Sequence, residues 1–141
     1  MASTKKGNIL EFIRSTIQAL ASVTTCEVNS TRALHTVVSD HMPFVNITSF
    51  AKYNARESAT GSIEMWDLMV TTSIISTAGN AEDLRGDIKE AISVDLTQDG
   101  NAIDTTPDSY LDILDVSIPA GAQGVEMDFT VKYSVVEGKK I

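Results

Sequence analysis

Residues 123–135, QGVEMDFTVKYSV, alternate apolar and polar side chains almost without a break. Val125, Met127, Phe129, Val131, Tyr133 and Val135 fall on one side, and Gly124, Glu126, Asp128, Thr130, Lys132 and Ser134 on the other. A period of two is the signature of a strand with one buried face. Thirteen residues at about 3.3 Å each extend roughly 40 Å, about twice an ordinary strand. Such a strand either bends or outruns the body of a small domain.

Upstream, Tyr110–Ile118 (YLDILDVSI) reads as a partner strand closed by Pro119-Ala120-Gly121, and residues 97–109 (TQDGNAIDTTPDS) as a turn-rich connection. Ala81, Leu84, Ile88, Ala91, Ile92 and Leu96 recur at helical spacing after Asn80, a good N-cap, with Glu82 and Asp83 at the positive end of the helix dipole. Gly86 within that helix suggests close passage of another backbone. Ser62–Thr77 is rich in β-branched residues and reads as a strand with Trp66, Leu68, Val70, Thr72 and Ile74 on one side. Residues 51–61 (AKYNARESATG) read as a loop or the tip of a long hairpin, and Phe44–Phe50 as the strand before it. Thr24–Val28 is a short strand, while Thr31–Asp40 fits either a helical turn or a strand, ended by His41-Met42-Pro43. Residues 8–22 carry Ile9, Ile13, Ile17 and Leu20 at helical spacing, with Asn8 as N-cap and Glu11 completing a capping box.

The order helix, strands, helix, two strands predicts an α+β fold. Its expected form is a mainly antiparallel β-sheet with two helices packed on one face, a long hairpin arm and a long C-terminal strand, in one domain over residues 1–141.

Composition narrows the function. With 43% hydrophobic and 21% charged residues in 141, the chain is neither disordered, collagen-like nor a coiled coil. The single cysteine, Cys26, excludes an intramolecular disulfide framework and a cysteine zinc cage. His35 and His41 alone leave little for a histidine metal centre. A net charge of −8 disfavours wrapping of DNA. Lys5 and Lys6 before an apolar run, with Ala19-Leu20-Ala21 beyond, imitate a secretory leader, but Glu11, Arg14 and Gln18 interrupt it. No stretch approaches the ~20 apolar residues of a membrane span. The composition points to a soluble, acidic chain made in the cytosol.

Catalytic motifs are missing: no Gly-x-Gly-x-x-Gly, Walker loop, Gly-x-Ser-x-Gly or His-Glu-x-x-His occurs. Ser39, Asp40, His35 and His41 read as polar groups of a loop, since a triad is defined by geometry and not adjacency. Cys26 reads as a small buried hydrophobe. Asp95, Asp99 and Asp104 surround Gly100 but lack the spacing and final Glu of a calcium loop, so they read as a solvated acidic turn. The expectation is no enzyme, no cofactor and no metal.

Charge is unevenly spread. Asn80–Asp128 holds 12 acidic residues against Arg85 and Lys89, whereas the rest of the chain holds 7 acidic and 9 basic residues. Such asymmetry favours head-to-tail contact between unlike surfaces of neighbouring copies, and equally fits an acidic solubilising face.

The leading helix, the Met42–Ile47 strand (MPFVNI), the polar hairpin tip, the helix opening at Asn80–Leu84 (NAEDL) and the terminal Phe129–Tyr133 strand (FTVKY) together resemble the tail terminator proteins of tailed bacteriophages. The likeness covers nearly the whole chain through element order and local flavour, not through an invariant motif. It implies a homohexameric ring that caps the tail tube, stops its polymerisation and meets the head-side connector, with a sheath protein as a further partner in a contractile tail. It also implies Lys52, Tyr53, Arg56 and Glu57 as subunit or partner contacts and a location in the virion neck, while the acidic excess of residues 80–128 makes Asp112, Asp115 and Asp128 candidates for an acidic lumen through which DNA passes. The family offers no catalytic residue. Other tail and neck proteins (tail completion, head–tail joining) and a monomeric α+β binding module are the alternatives.

Overall fold

The computed structural model describes residues 4–29, 42–55, 63–77, 80–113 and 121–136. Among these the chain runs α1 (Lys5–Gln18), β1 (Thr25–Val28), β2 (Phe44–Tyr53), β3 (Ile63–Thr77), α2 (Asn80–Ser93), β4 (Asp104–Ile113) and β5 (Ala122–Val136). The fold is α+β, with a five-stranded, mostly antiparallel sheet in the order β1-β2-β3-β5-β4. Only β1 runs parallel to its neighbour, β2.

The first helix starts three residues before Asn8. Thr4, with extended backbone at φ −81° and ψ 157°, is its N-cap, and its Oγ1 accepts the Gly7 N–H at 3.0 Å. Gly7 suits this cap because a Cβ there would stand 3.1 Å from that oxygen. The helix ends at Gln18 rather than 22, and the Gln18 amide oxygen accepts the Cys26 N–H at 3.0 Å, tying the helix end to β1. Ile9, Ile13 and Ile17 are fully buried, each contributing on the order of 1.5–3 kcal/mol relative to exposure.

Both helices lie on one face of the sheet, where their apolar stripes join a single core cluster with Val45, Ile47, Leu68, Val70, Ile74 and the alternating residues of β5. Val125, Met127, Phe129, Val131, Tyr133 and Val135 are all buried, as their period of two demands. Across β2, β3 and β5 the register aligns Tyr53, Trp66 and Tyr133 in one row, and Tyr53 meets Trp66 edge-on at 5.5 Å between ring centres.

Three further boundaries differ from the sequence reading. Residues 51–53 belong to β2, because β3 continues to pair with them as far as Trp66. The connection expected over 97–109 is strand from Asp104 onward, held by β5. α2 stops at Ser93, leaving Leu96 outside it, and residues 114–118 of the expected partner strand lie outside the described residues. Gly86 marks no close approach: a Cβ there would meet nothing within 4 Å. The Met42–Pro43 peptide is cis.

Candidate functional site

Among the described residues, the second face of the sheet carries no helix. Successive rows across β2, β3, β5 and β4 read Lys52–Asp67–Lys132–Asp104, then Phe50–Met69–Thr130–Thr106, then Thr48–Thr71–Asp128–Ser109, then Asn46–Ser73–Glu126–Leu111. A charged row of alternating sign is thus followed by an apolar one and then by polar and acidic ones. Toward the hairpin end, Ile63 and Val136 pair on the same face, and both are exposed. The opposite end closes over Phe44 and Ile75, which are fully buried against Met42 and Ala122.

A groove of about 670 Å³ opens on this face, lined among others by Phe50, Lys52, Asp67, Met69, Asp108 and Asp128. Phe50 is 64% exposed, a large aromatic surface left to solvent. The Ser109 hydroxyl donates to Asp128 Oδ2 at 3.1 Å, and the Thr130 hydroxyl donates to Asp108. The Asn54 amide donates to Asp67 Oδ2 at 3.2 Å. The second oxygens of Asp67 and Asp128 are buried and have no hydrogen-bond partner. Burial raises the Glu126 carboxyl above its ordinary value, and the neighbouring Asp128 charge pushes it the same way. A face with desolvated carboxylate and exposed aromatic carbon is poorly satisfied by itself.

The sequence-predicted contact residues divide. Lys52 and Tyr53 are not loop residues but the end of β2, and alternation sends them to opposite faces: Lys52 to the groove, Tyr53 to Trp66. Arg56 and Glu57 lie outside the described residues, as do Asp115 and the Ser39, Asp40, His35 and His41 group. Asp128 faces the groove, half-buried. Position 112 is in register with Val125 and position 128 with Thr71 and Ser109, so these two acids do not share a row.

The acidic turn is spent on its own backbone. Asp95 Oδ1 accepts from the Thr97 N–H at 3.0 Å and hydroxyl at 2.6 Å, and Oδ2 from the Asp99 N–H at 2.9 Å. The Thr97 hydroxyl leads in holding the Asp95 carboxyl below its ordinary value. Gln98, Asp99 and Gly100 are left-handed, at φ 47°, 60° and 78°, and Asp104 belongs to β4. Among the described residues no three His, Cys, Asp or Glu side chains gather as a metal site. Cys26 is buried and its thiol is pushed up to about 12 by burial, leaving it a poor nucleophile. No helix among the described residues is long and apolar enough to cross a membrane.

The sequence reading missed Phe50, Met69, Asp67 and Asp108. The signal for Phe50 was present, since Phe44, Asn46, Thr48 and Phe50 alternate against Val45 and Ile47. It also missed the clamp on Tyr110, whose ring lies 5.4 Å from the Arg85 guanidinium and 5.6 Å from the Lys89 ammonium. Those cations pin α2 to β4. Compared with protein-family models and with curated proteins, the chain matches none.

Proposed function

We propose that this chain is a structural subunit of a tailed-bacteriophage virion, a tail terminator whose copies form a ring on the end of the tail tube. The observation that supports this reading best is the sheet face that no helix among the described residues covers, with Phe50 64% exposed in a carboxylate-lined groove. Large apolar side chains left exposed on one face of a sheet mark a contact with another chain. The uneven charge along the sequence favours a head-to-tail partner, and head-to-tail contacts that close make rings. By the resemblance, the ring is hexameric. It stops tube polymerisation and joins the tail to the head-side connector, and in a contractile tail it engages the sheath. DNA passes through the lumen, no membrane is involved, and assembly takes place in the host cytoplasm before the protein becomes part of the virion neck. The subunit acts by contact and not by catalysis.

The test is assembly with tail tubes. Added during tube polymerisation, the protein yields tubes of limited length bearing a ring at one end in electron micrographs. Tubes that grow equally long with and without it refute the assignment. The same groove also favours a monomeric binding module; a 15.2 kDa species at every concentration, with tubes present, would support that reading instead.

A further inference from the structure

The two edges of the sheet differ in kind. β1 pairs with β2 only through Phe44–Ile47, so among the described residues the outer side of β2 is bare from Thr48 to Tyr53. The Asn54 N–H donates to the Met65 carbonyl, and the Asn29 N–H to the Ile47 carbonyl, each at 2.8 Å. These bonds set the alternation of the ladder: the backbone groups of Phe50 and Lys52 turn to β3, while those of Ser49, Ala51 and Tyr53 turn outward. Carried across the sheet by the registers, the same alternation turns Thr105 and Pro107 outward on β4. On β4 the guard begins at Pro107, with the proline, the register shift between Pro107 and Ser109 and the charge of Asp108, whereas Asp104–Thr106 before it carries neither proline nor bulge; Thr105 there is 5% exposed, its hydroxyl donating to the Leu96 carbonyl. Thr48–Tyr53 has no proline and no bulge, and its one charge is Lys52. An unguarded edge with outward N–H and C=O groups is a template for another strand.

Charge selects the occupant. β2 laid against its own copy brings no opposite charge to Lys52, and β4 against its own copy sets acids beside acids. β2 against β4 sets Lys52 beside Asp104. We propose that the bare edge of β2 in one subunit pairs antiparallel with the first half of β4, Asp104–Pro107, in a second copy of this chain. In the register that unites Lys52 with Asp104, Ala51 opposes Thr105, Phe50 opposes Thr106 and Ser49 opposes Pro107. Ser49 and Ala51 share the helix-bearing face with Thr105 and Pro107, so the sheet continues from subunit to subunit with its helices on one side. The missing N–H of Pro107 and the register shift beyond it end the match before it reaches β1. This contact rests on the ring reading and deepens it: two unlike edges make a heterologous interface, which propagates until it closes.

The test uses the full chain assembled on tail tubes, with Lys52→Cys and Asp104→Cys combined in one chain. Mild oxidation should give a ladder of covalent multimers ending at the ring, whereas either substitution alone leaves single chains; buried Cys26 stays out of the reaction. Lys52→Glu should weaken each contact about fivefold, compounded around the ring, and adding Asp104→Lys in the same chain should restore assembly. Rings that form without cross-linking, or cross-linking by Lys52→Cys alone, overturn the proposed pairing and leave the ring standing. Tubes that never acquire a ring overturn both.

Discussion

Tyr133 offers a sharp test of the core, because its direction runs against the usual effect of a core substitution. The ring is fully buried on β5 in the core cluster that both helices join, and its hydroxyl has no hydrogen-bond partner. Leaving a buried hydroxyl unsatisfied costs about 1–3 kcal/mol. Tyr133→Phe keeps the ring and removes one oxygen, and the space left, roughly 15 Å³ at about 24 cal/mol per Å³, returns only ~0.4 kcal/mol of destabilisation. The net expectation is a gain of about 1 kcal/mol, or about 3 °C in Tm for a chain of this size. Urea unfolding followed by the fluorescence of Trp66, the single tryptophan, measures it. With m between about 1 and 3 kcal/mol per M, the midpoint should rise by roughly 0.5 M at unchanged slope. Burial also pushes the phenol up to about 12. A raised acid contributes stability that is complete below its unfolded value, about 10, and lost as pH rises through about 12, so the wild type should unfold at alkaline pH more readily than the variant. A Tyr133→Phe protein destabilised by 1 kcal/mol or more would show that the hydroxyl is satisfied, and the reasoning would fail.

Other expectations follow from single contacts. Cys26 should resist thiol reagents in the native protein at pH 8 and react at once in denaturant; fast labelling of folded protein would contradict its burial. Glu126, raised by burial and by Asp128, carries stability present below the ordinary carboxylate range and lost as pH rises through its folded value. Glu126→Gln should therefore be more stable than wild type at pH 7 and level with it near pH 3, as read by denaturant midpoints at the two pH values. Thr4→Ala removes the α1 cap and should cost about 1 kcal/mol, whereas Arg14→Ala, which breaks the exposed pair with Glu11 at 2.6 Å, should change stability by no more than about 0.5 kcal/mol.

The face that no helix among the described residues covers gives the molecule two unequal halves. On the helix side, apolar rows are sealed by Ile9, Ile13, Ile17, Leu84 and Ile88. On the other, carboxylate oxygens of Asp67 and Asp128 are taken from water without compensation, and Phe50 is given to water. Both conditions are relieved by one event, the arrival of a surface bearing cations and apolar carbon. In the ring proposed above, a neighbouring subunit would supply that surface, and a net charge of −8 favours keeping separate subunits dispersed until then.

What could be read from residues alone was what local periodicity enforces. Six apolar residues alternating through 125–135 admit one orientation of β5, since a slip by one residue would expose all of them. Ile9, Ile13 and Ile17, and Ala81, Leu84 and Ile88, can share a buried face only on a helix. The two helices and the antiparallel strands therefore followed from the sequence by itself. The start of β4 did not: Thr105-Thr106-Pro107-Asp108 has the chemistry of a turn, and it is strand because β5 supplies a neighbour while the proline's missing N–H faces away from the ladder. The groove was equally hidden. Asp67, Asp108 and Asp128 lie far apart in the chain, Asp108 in a stretch that reads as a turn, and only strand register brings them to one face. Periodicity within a segment is a local property of the chain, whereas the pairing of segments is a choice made by the whole core. That choice put the groove on the face that no helix among the described residues covers, and set β1 and β4 at the two edges of the sheet.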